Sequence, residues 1–264
     1  MRHGFAVFSI ILFVLGLGTL LTLAGGLYIP STSVRQLASY YLNTTYNPWN
    51  RFFTAMSPEG VTAIVWDYRG LDTVFETAVF YLAIIGSIAL GRGLLKYSKP
   101  AGELGLSLIP KTVTRITTVM IIAVAVSIAL HGHLTPGGGF QGGATAAVAP
   151  LLILVIFSHY FLLEKGVSKD LMLVIRSLGL AGIGIVAVIV YFIASALGFP
   201  AFILQNQPKE LAPIGMPSHL DGQLISGTLW FFNIAEFFAV MAGFTIVFLL
   251  LAVPERVFKE GGEK

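Results

Sequence analysis

The polar positions of this chain are few and grouped, and six apolar runs stand between them: Phe5–Leu27, Asp72–Gly91, Val113–Leu130, Gly143–Leu163, Leu171–Gly198 and Ser226–Val253. About 20 residues of helix cross a bilayer core of ~30 Å. The pattern therefore predicts an all-α integral membrane protein with about six transmembrane helices. The third run is the shortest, because its uninterrupted apolar stretch begins near Ile116 and stops at His131; help from the following break is expected if it is to cross. The fifth run carries Gly179, Gly182 and Gly184, and small residues let membrane helices approach closely.

That break is His131-Gly132-His133-Leu134-Thr135-Pro136-Gly137-Gly138-Gly139-Phe140-Gln141-Gly142-Gly143. Unpaired backbone groups in lipid cost several kcal/mol each, so such a segment lies at a bilayer surface or is buried against protein. Pro136 and the glycines free the chain to turn, while Gly142 and Gly143 let the next helix start in tight contact with a neighbour. Exposed N–H groups at that helix start favour an anion or a carboxylate. Broken backbone at membrane depth often lines a cavity or an ion site; the alternative is a tight turn at the outer face. The spacing Gly137-x-Gly139-x-x-Gly142 formally matches a dinucleotide fingerprint, but that motif needs a strand and a βαβ unit. Both flanks here are membrane-length apolar runs, which excludes it.

Composition supports the membrane class. Hydrophobic residues make up 56% and charged residues 11% of the 264, against roughly 25% charged in soluble domains. The chain has no cysteine, which excludes disulfides, thiolate metal sites and Cys-ligated iron–sulfur clusters within it. No cofactor, metal or nucleic acid is expected, and in a redox assembly the electron carriers would belong to other subunits.

The net charge of +3 is modest, and its placement says more than its size. With six spans, one side collects Arg2, Arg92, Lys96, Lys99, Lys111, Arg115, Lys165, Lys169, Arg176, Arg256, Lys259 and Lys264, 12 of the 16 basic residues. Arg35, Arg51, Arg69 and Lys209 fall on the other. The positive-inside rule then places both termini in the cytoplasm and the break near the outer face. The first run is too long for a signal-peptide core of ~7–15 residues, so it is expected to persist as a helix. The outer loop Tyr28–Leu71 contains Asn43-Thr44-Thr45, a formal glycosylation acceptor. The basic, proline-interrupted linker Arg92–Lys111 suggests two modules, residues 1–98 with two helices and residues 99–264 with four.

Two acids fall inside predicted spans. Glu76 follows Asp72 by four residues, about 6 Å along a helix, and Glu236 follows Ser226 by ten, about 15 Å. The second is near the midplane, where an ionised carboxylate costs ~2.5–3.5 kcal/mol or more. Such acids exchange protons in transport paths; the alternative is a protonated carboxyl bonded across a helix interface. In Asp67-Tyr68-Arg69-Gly70-Leu71-Asp72-Thr73, Asp72 is expected to cap the second helix, with Arg69 pairing Asp67 or Asp72 or holding Glu76 ionised. His131 and His133 are two apart and so point to different sides of a helix. That is poor for a helical metal site, although proton uptake through either is chemically reasonable. A self-contained membrane enzyme would need clustered ligands or a nucleophile–base pair facing one cavity, and the sequence shows none.

The segment from His131 to Gly143 resembles the signature of the MnhB-type subunit of the Mrp-type multisubunit Na⁺/H⁺ antiporters, over about residues 111–253. Asp67-x-Arg69-Gly70-x-Asp72-Thr73-x-x-Glu76 resembles the C-terminal helices of the large MrpA-type subunit of the same antiporters. Their union with Asn233-Ile234-Ala235-Glu236 is similar to archaeal respiratory complexes that join an Mrp-like membrane module to a hydrogenase or sulfur-reducing arm. Glu236 departs from the antiporter MnhB pattern and favours those complexes. The resemblance implies a non-catalytic subunit that assembles with other Mrp-like membrane subunits and helps move Na⁺ or H⁺, with Glu76 on the ion path. A scaffold that seals and positions neighbouring transport subunits is the rival.

Overall fold

The computed structural model describes residues 2–24, 33–91 and 105–252. Residues 1–40 form one compact unit and residues 41–264 another. The first unit is dominated by α1 (Arg2–Leu23), an apolar helix with no buried residue in its membrane-length window. The short helix α2 spans Gln36–Thr45.

The second unit continues with α3 (Gly60–Ala63) and a π-helical turn (Ile64–Tyr68) that runs into α4 (Gly70–Leu90). Then come α5 (Leu108–His131), α6 (Gly139–Ile156), the short α7 (His159–Glu164), α8 (Lys169–Ala196) and α9 (Thr228–Leu251). Between α8 and α9 a two-residue hairpin pairs β1 (His219–Leu220) with β2 (Gln223–Leu224). Among the described residues six helices are long and apolar enough to cross a membrane: α1, α4, α5, α6, α8 and α9. The protein is an all-α, multi-pass membrane protein.

The third crossing needs no help from the break. α5 is 24 residues long and starts at Leu108, because Pro110 sits in the first turn, where a missing N–H costs nothing. The shortest crossing is α6, at 18 residues. It begins four residues earlier than the apolar pattern suggested. It ends at Ile156, since Ser158 turns out at φ 130° and caps α7 with its hydroxyl.

α9 is the centre of the second unit. It packs against α4, α5, α6 and α8, and its buried residues face all round it. Lipid offers no hydrophobic drive between helices, so close van der Waals approach has to hold them. The glycines supply that approach. A Cβ at Gly143 of α6 would sit 2.7 Å from the Phe237 carbonyl oxygen and 2.8 Å from Val240 Cβ. One at Gly142 would sit 2.8 Å from the Ala125 oxygen of α5, so α6 is wedged between two helices. On α8, Gly179 meets Ala235 and Ala239 in the same way, whereas Gly184 faces open space. Beside this seam Trp66 stacks on Phe232 at 4.3 Å between ring centroids, tying the π-helical turn to α9.

The positive charge count changes at one position. Arg176, counted with the cytoplasmic charges, is fully buried inside the bundle. Arg92, Lys96, Lys99, Arg256, Lys259 and Lys264, and the module junction at residues 98–99, lie outside the described residues.

Candidate functional site

The site is built around the start of α6. Gly137 and Gly138 have φ of 150° and 148°, a region closed to most side chains, and they aim the first amides of α6 at α9. The Phe140 N–H donates to Oε2 of Glu236 at 3.0 Å. At Gly139 a Cβ would lie 2.7 Å from both Cβ and Oε2 of Glu236, so only a hydrogen fits there. The buried carboxylate of Glu236 thus rests on the positive end of a membrane helix, an arrangement that favours negative charge.

Around it lies a cavity of about 510 Å³, room for several waters at ~30 Å³ each. Val61 and Thr62 of α3 line it, as do Val65 and Trp66 of the π-helical turn and Thr73, Glu76, Thr77 and Phe80 of α4. Gly137, Gly138, Phe140 and Gln141 of the break complete the wall with Asn233, Glu236, Val240 and Phe244 of α9. The break and both acids therefore share one chamber. Asn233 is 1% exposed and its Nδ2 has no hydrogen-bond partner. Glu76 stands at the open side. It is exposed between Phe75 and Val79, which are 63% and 65% exposed. A bare carboxylate on such an apolar face is costly in lipid. One turn beyond Glu76 on α4, Phe80 joins Phe140 and Phe244 in an aromatic floor, with centroids 5.2–6.4 Å apart.

Above the chamber the break is clamped. Thr62 donates to the Gly132 carbonyl at 2.6 Å, and the Ser57 hydroxyl and Glu59 N–H donate to the His133 carbonyl at 2.8 and 3.2 Å. His133 is buried, with Nε2 2.8 Å from the Leu224 oxygen. Burial lowers its pKa, the Leu224 bond opposes that, and nearby His131 adds to the lowering. His131 is exposed and bonded to the Ser127 oxygen of its own helix at 3.0 Å. Neither histidine is among the residues lining the chamber. Thr135 and Pro136 are exposed on the turn, with the Thr135 hydroxyl bonded to the His131 carbonyl.

Asp72 does not cap α4. The helix begins at Gly70 with Arg69 in the cap position and no side-chain cap bond. The π-helical turn moves its start upstream, which leaves Asp72 inside the first turn. Arg69 pairs with Asp72, Nε to Oδ2 at 2.6 Å, both exposed, and so does not reach Glu76. The informative acid of this run is Asp67, which sequence spacing offered only as a partner for Arg69. Its side chain is 4% exposed and stands 3.8 Å from Lys209. Burial pushes its pKa up to about 6, with Lys209 pulling the other way. Arg176 and Asp67 are both visible as charges in the sequence; what spacing does not show is that each points inward. Among the described residues no group of three or more His, Asp or Glu side chains is placed to hold a metal ion.

Comparison with known proteins supplies the relatives of this arrangement. A family model described as a domain related to the MnhB subunit of Na⁺/H⁺ antiporter matches residues 109–246. An uncharacterised protein of Methanocaldococcus jannaschii is 27% identical over 224 residues, covering 77% of this chain and 80% of that protein. Among solved structures, a chain of the membrane-bound sulfane sulfur reductase, an archaeal respiratory membrane complex, is similar with a TM-score of 0.63 and 25% identity. The match covers 94% of this chain and 98% of the other. A chain of the Mrp complex from Dietzia sp. DQ12-45-1b has a TM-score of 0.58 at 18% identity. There the match covers 97% of this chain but only 26% of the longer one, and it speaks to the fold alone.

Proposed function

This chain belongs to the family of domains related to the MnhB subunit of Na⁺/H⁺ antiporters, and from that membership we propose that it is a membrane subunit of an Mrp-like cation/proton antiporter module within an archaeal respiratory complex. The near full-length likeness to a chain of the sulfane sulfur reductase supports a sulfur-reducing arm over a hydrogenase-like one. Its partners are then the other small Mrp-like membrane subunits, lipid and that arm. It takes no catalytic part in the redox step. The orientation follows the described charges: Lys111, Arg115, Lys165 and Lys169 gather where α5 and α8 begin, the end assigned to the cytoplasm with both termini.

One observation carries the reading: Glu236 sits at the N-terminus of α6 in a chamber shared with Glu76. A carboxylate there holds a proton or a Na⁺ but not both, and that competition is what couples the two ions. The Phe140 amide supports the charged form once the proton leaves. Glu76, at the open side, passes the ion towards a neighbouring subunit. Asp72, His131 and His133 are outside the chamber and serve the surface and the clamp. The scaffold reading rests on a different feature, the glycine seam around α9. Vesicles carrying the complex separate the two: labelled Na⁺ uptake driven by a pH gradient falls on Glu→Gln exchange under the transport reading and is unaffected under the scaffold reading.

A further inference from the structure

Directly beneath the aromatic floor of the chamber lies a second buried charge. Arg176 comes from α8 and is fully buried, with Nη1 donating to the Ala239 carbonyl at 2.7 Å. Its guanidinium lies 4.6 Å from the centroid of Phe80 and 5.5 Å from that of Tyr81. Nε and Nη2 have no hydrogen-bond partner, and among the described residues Arg176 enters no ion pair. Gly243 makes room for it, since any Cβ there would collide with the guanidinium. An unpaired cation inside a membrane bundle is expensive, and its one hydrogen bond among the described residues goes to a neutral carbonyl. Its placement is the informative part. Ala239 and Gly243 lie three and seven residues beyond Glu236 on α9, about 4.5 and 10 Å further along the axis. Phe80 is at once the floor of the chamber and the seat of the guanidinium. The positive charge therefore fills the gap between α4 and α9 where a cation leaving the chamber through its floor would have to pass.

We propose that Arg176 is the cation barrier of this subunit: seated under Phe80, it closes the chamber at its floor, so that ions reach and leave Glu236 only by the open side at Glu76. A fixed arginine charge beside a narrow passage excludes cations by electrostatic repulsion. The proposal rests on the transport reading and adds that the chamber is a half-channel with a lateral exit. The alternative is an arginine that serves helix packing alone.

The test uses the whole complex, purified and reconstituted in vesicles, with labelled Na⁺ uptake measured with and without a pH gradient. Arg176→Met and Arg176→Gln are expected to raise gradient-independent uptake by up to about a thousandfold, the effect of removing a unit charge about 4 Å from the route at an effective dielectric of about 20. Arg176→Lys keeps the seal. An assembled neutral variant as tight as wild type overturns the proposal. So does failure of both neutral variants to assemble while Arg176→Lys assembles, because the charge is then needed for folding rather than sealing. Gradient-driven uptake by wild type and its loss in Glu236→Gln, read in the same vesicles, report on the transport reading separately.

Discussion

The Phe140 amide and the Glu236 carboxylate, 96 residues apart in the chain, meet at 3.0 Å, and this contact joins the glycine break to the acid of the last helix. It exists only because Gly139 carries no side chain. Gly139→Ala would bring a methyl group to 2.7 Å from Glu236 Oε2. Overpacking of this kind costs about 1–3 kcal/mol, and here it also pushes the carboxylate off the amide. The expected outcome is a lower melting temperature of the purified complex together with reduced transport. Gly184→Ala, with nothing within 4 Å of the new methyl group, is the control and gains up to about 1 kcal/mol of helix propensity. Equal melting temperatures for the two variants would show that the close approach at Gly139 is not needed.

Asp67 sets a pH dependence. Its pKa is raised from 3.8 to about 6 by burial, against the pull of Lys209. As pH rises from below 4, the unfolded chain ionises first and the folded protein loses relative stability until the folded group titrates near 6; above that the penalty is constant. Asp67→Asn removes the penalty, while Lys209, one-third exposed, remains solvated. The variant is expected to be more stable than wild type at neutral pH by up to about 3 kcal/mol and indistinguishable from it below about pH 4. Thermal unfolding across that range checks this, and a pH-independent difference would contradict it.

The histidines divide by burial. His131→Gln leaves transport and assembly unchanged, since the ring bonds only its own helix among the described contacts. His133→Ala removes the bond to Leu224 and loosens the hairpin against the break. Amide hydrogen exchange in residues 219–226 should then speed up by about tenfold, the loss of roughly one buried hydrogen bond. A transport defect in His131→Gln with intact assembly would put that ring back on a proton route.

The six crossings can be read from hydropathy because each run is long enough to span lipid without tertiary help. The chamber cannot, since its walls come from residues as far apart as Val61 and Phe244 and no local period brings them together. The start of α6 is foreseeable in kind, as a helix N-terminus seeking a carboxylate, but not that Glu236 supplies it. Arg176 falls within the fifth apolar run and counts with the cytoplasmic charges, because spacing does not say which way a helical arginine faces. Asp72 reads as a cap because a π-helical turn leaves no signature that moves a helix start. Within the outer loop, α2 and α3 are too short to show as periodic runs.

The central claim is that Glu236 exchanges ions in this chamber. The most direct measurement is pH-gradient-driven Na⁺ uptake by vesicles containing the intact complex with Glu236→Gln, an exchange that keeps the shape and removes the charge. The account predicts uptake at background with normal subunit composition, and Glu76→Gln reduced likewise. Wild-type uptake by an intact Glu236→Gln complex would contradict it and leave the chain a scaffold.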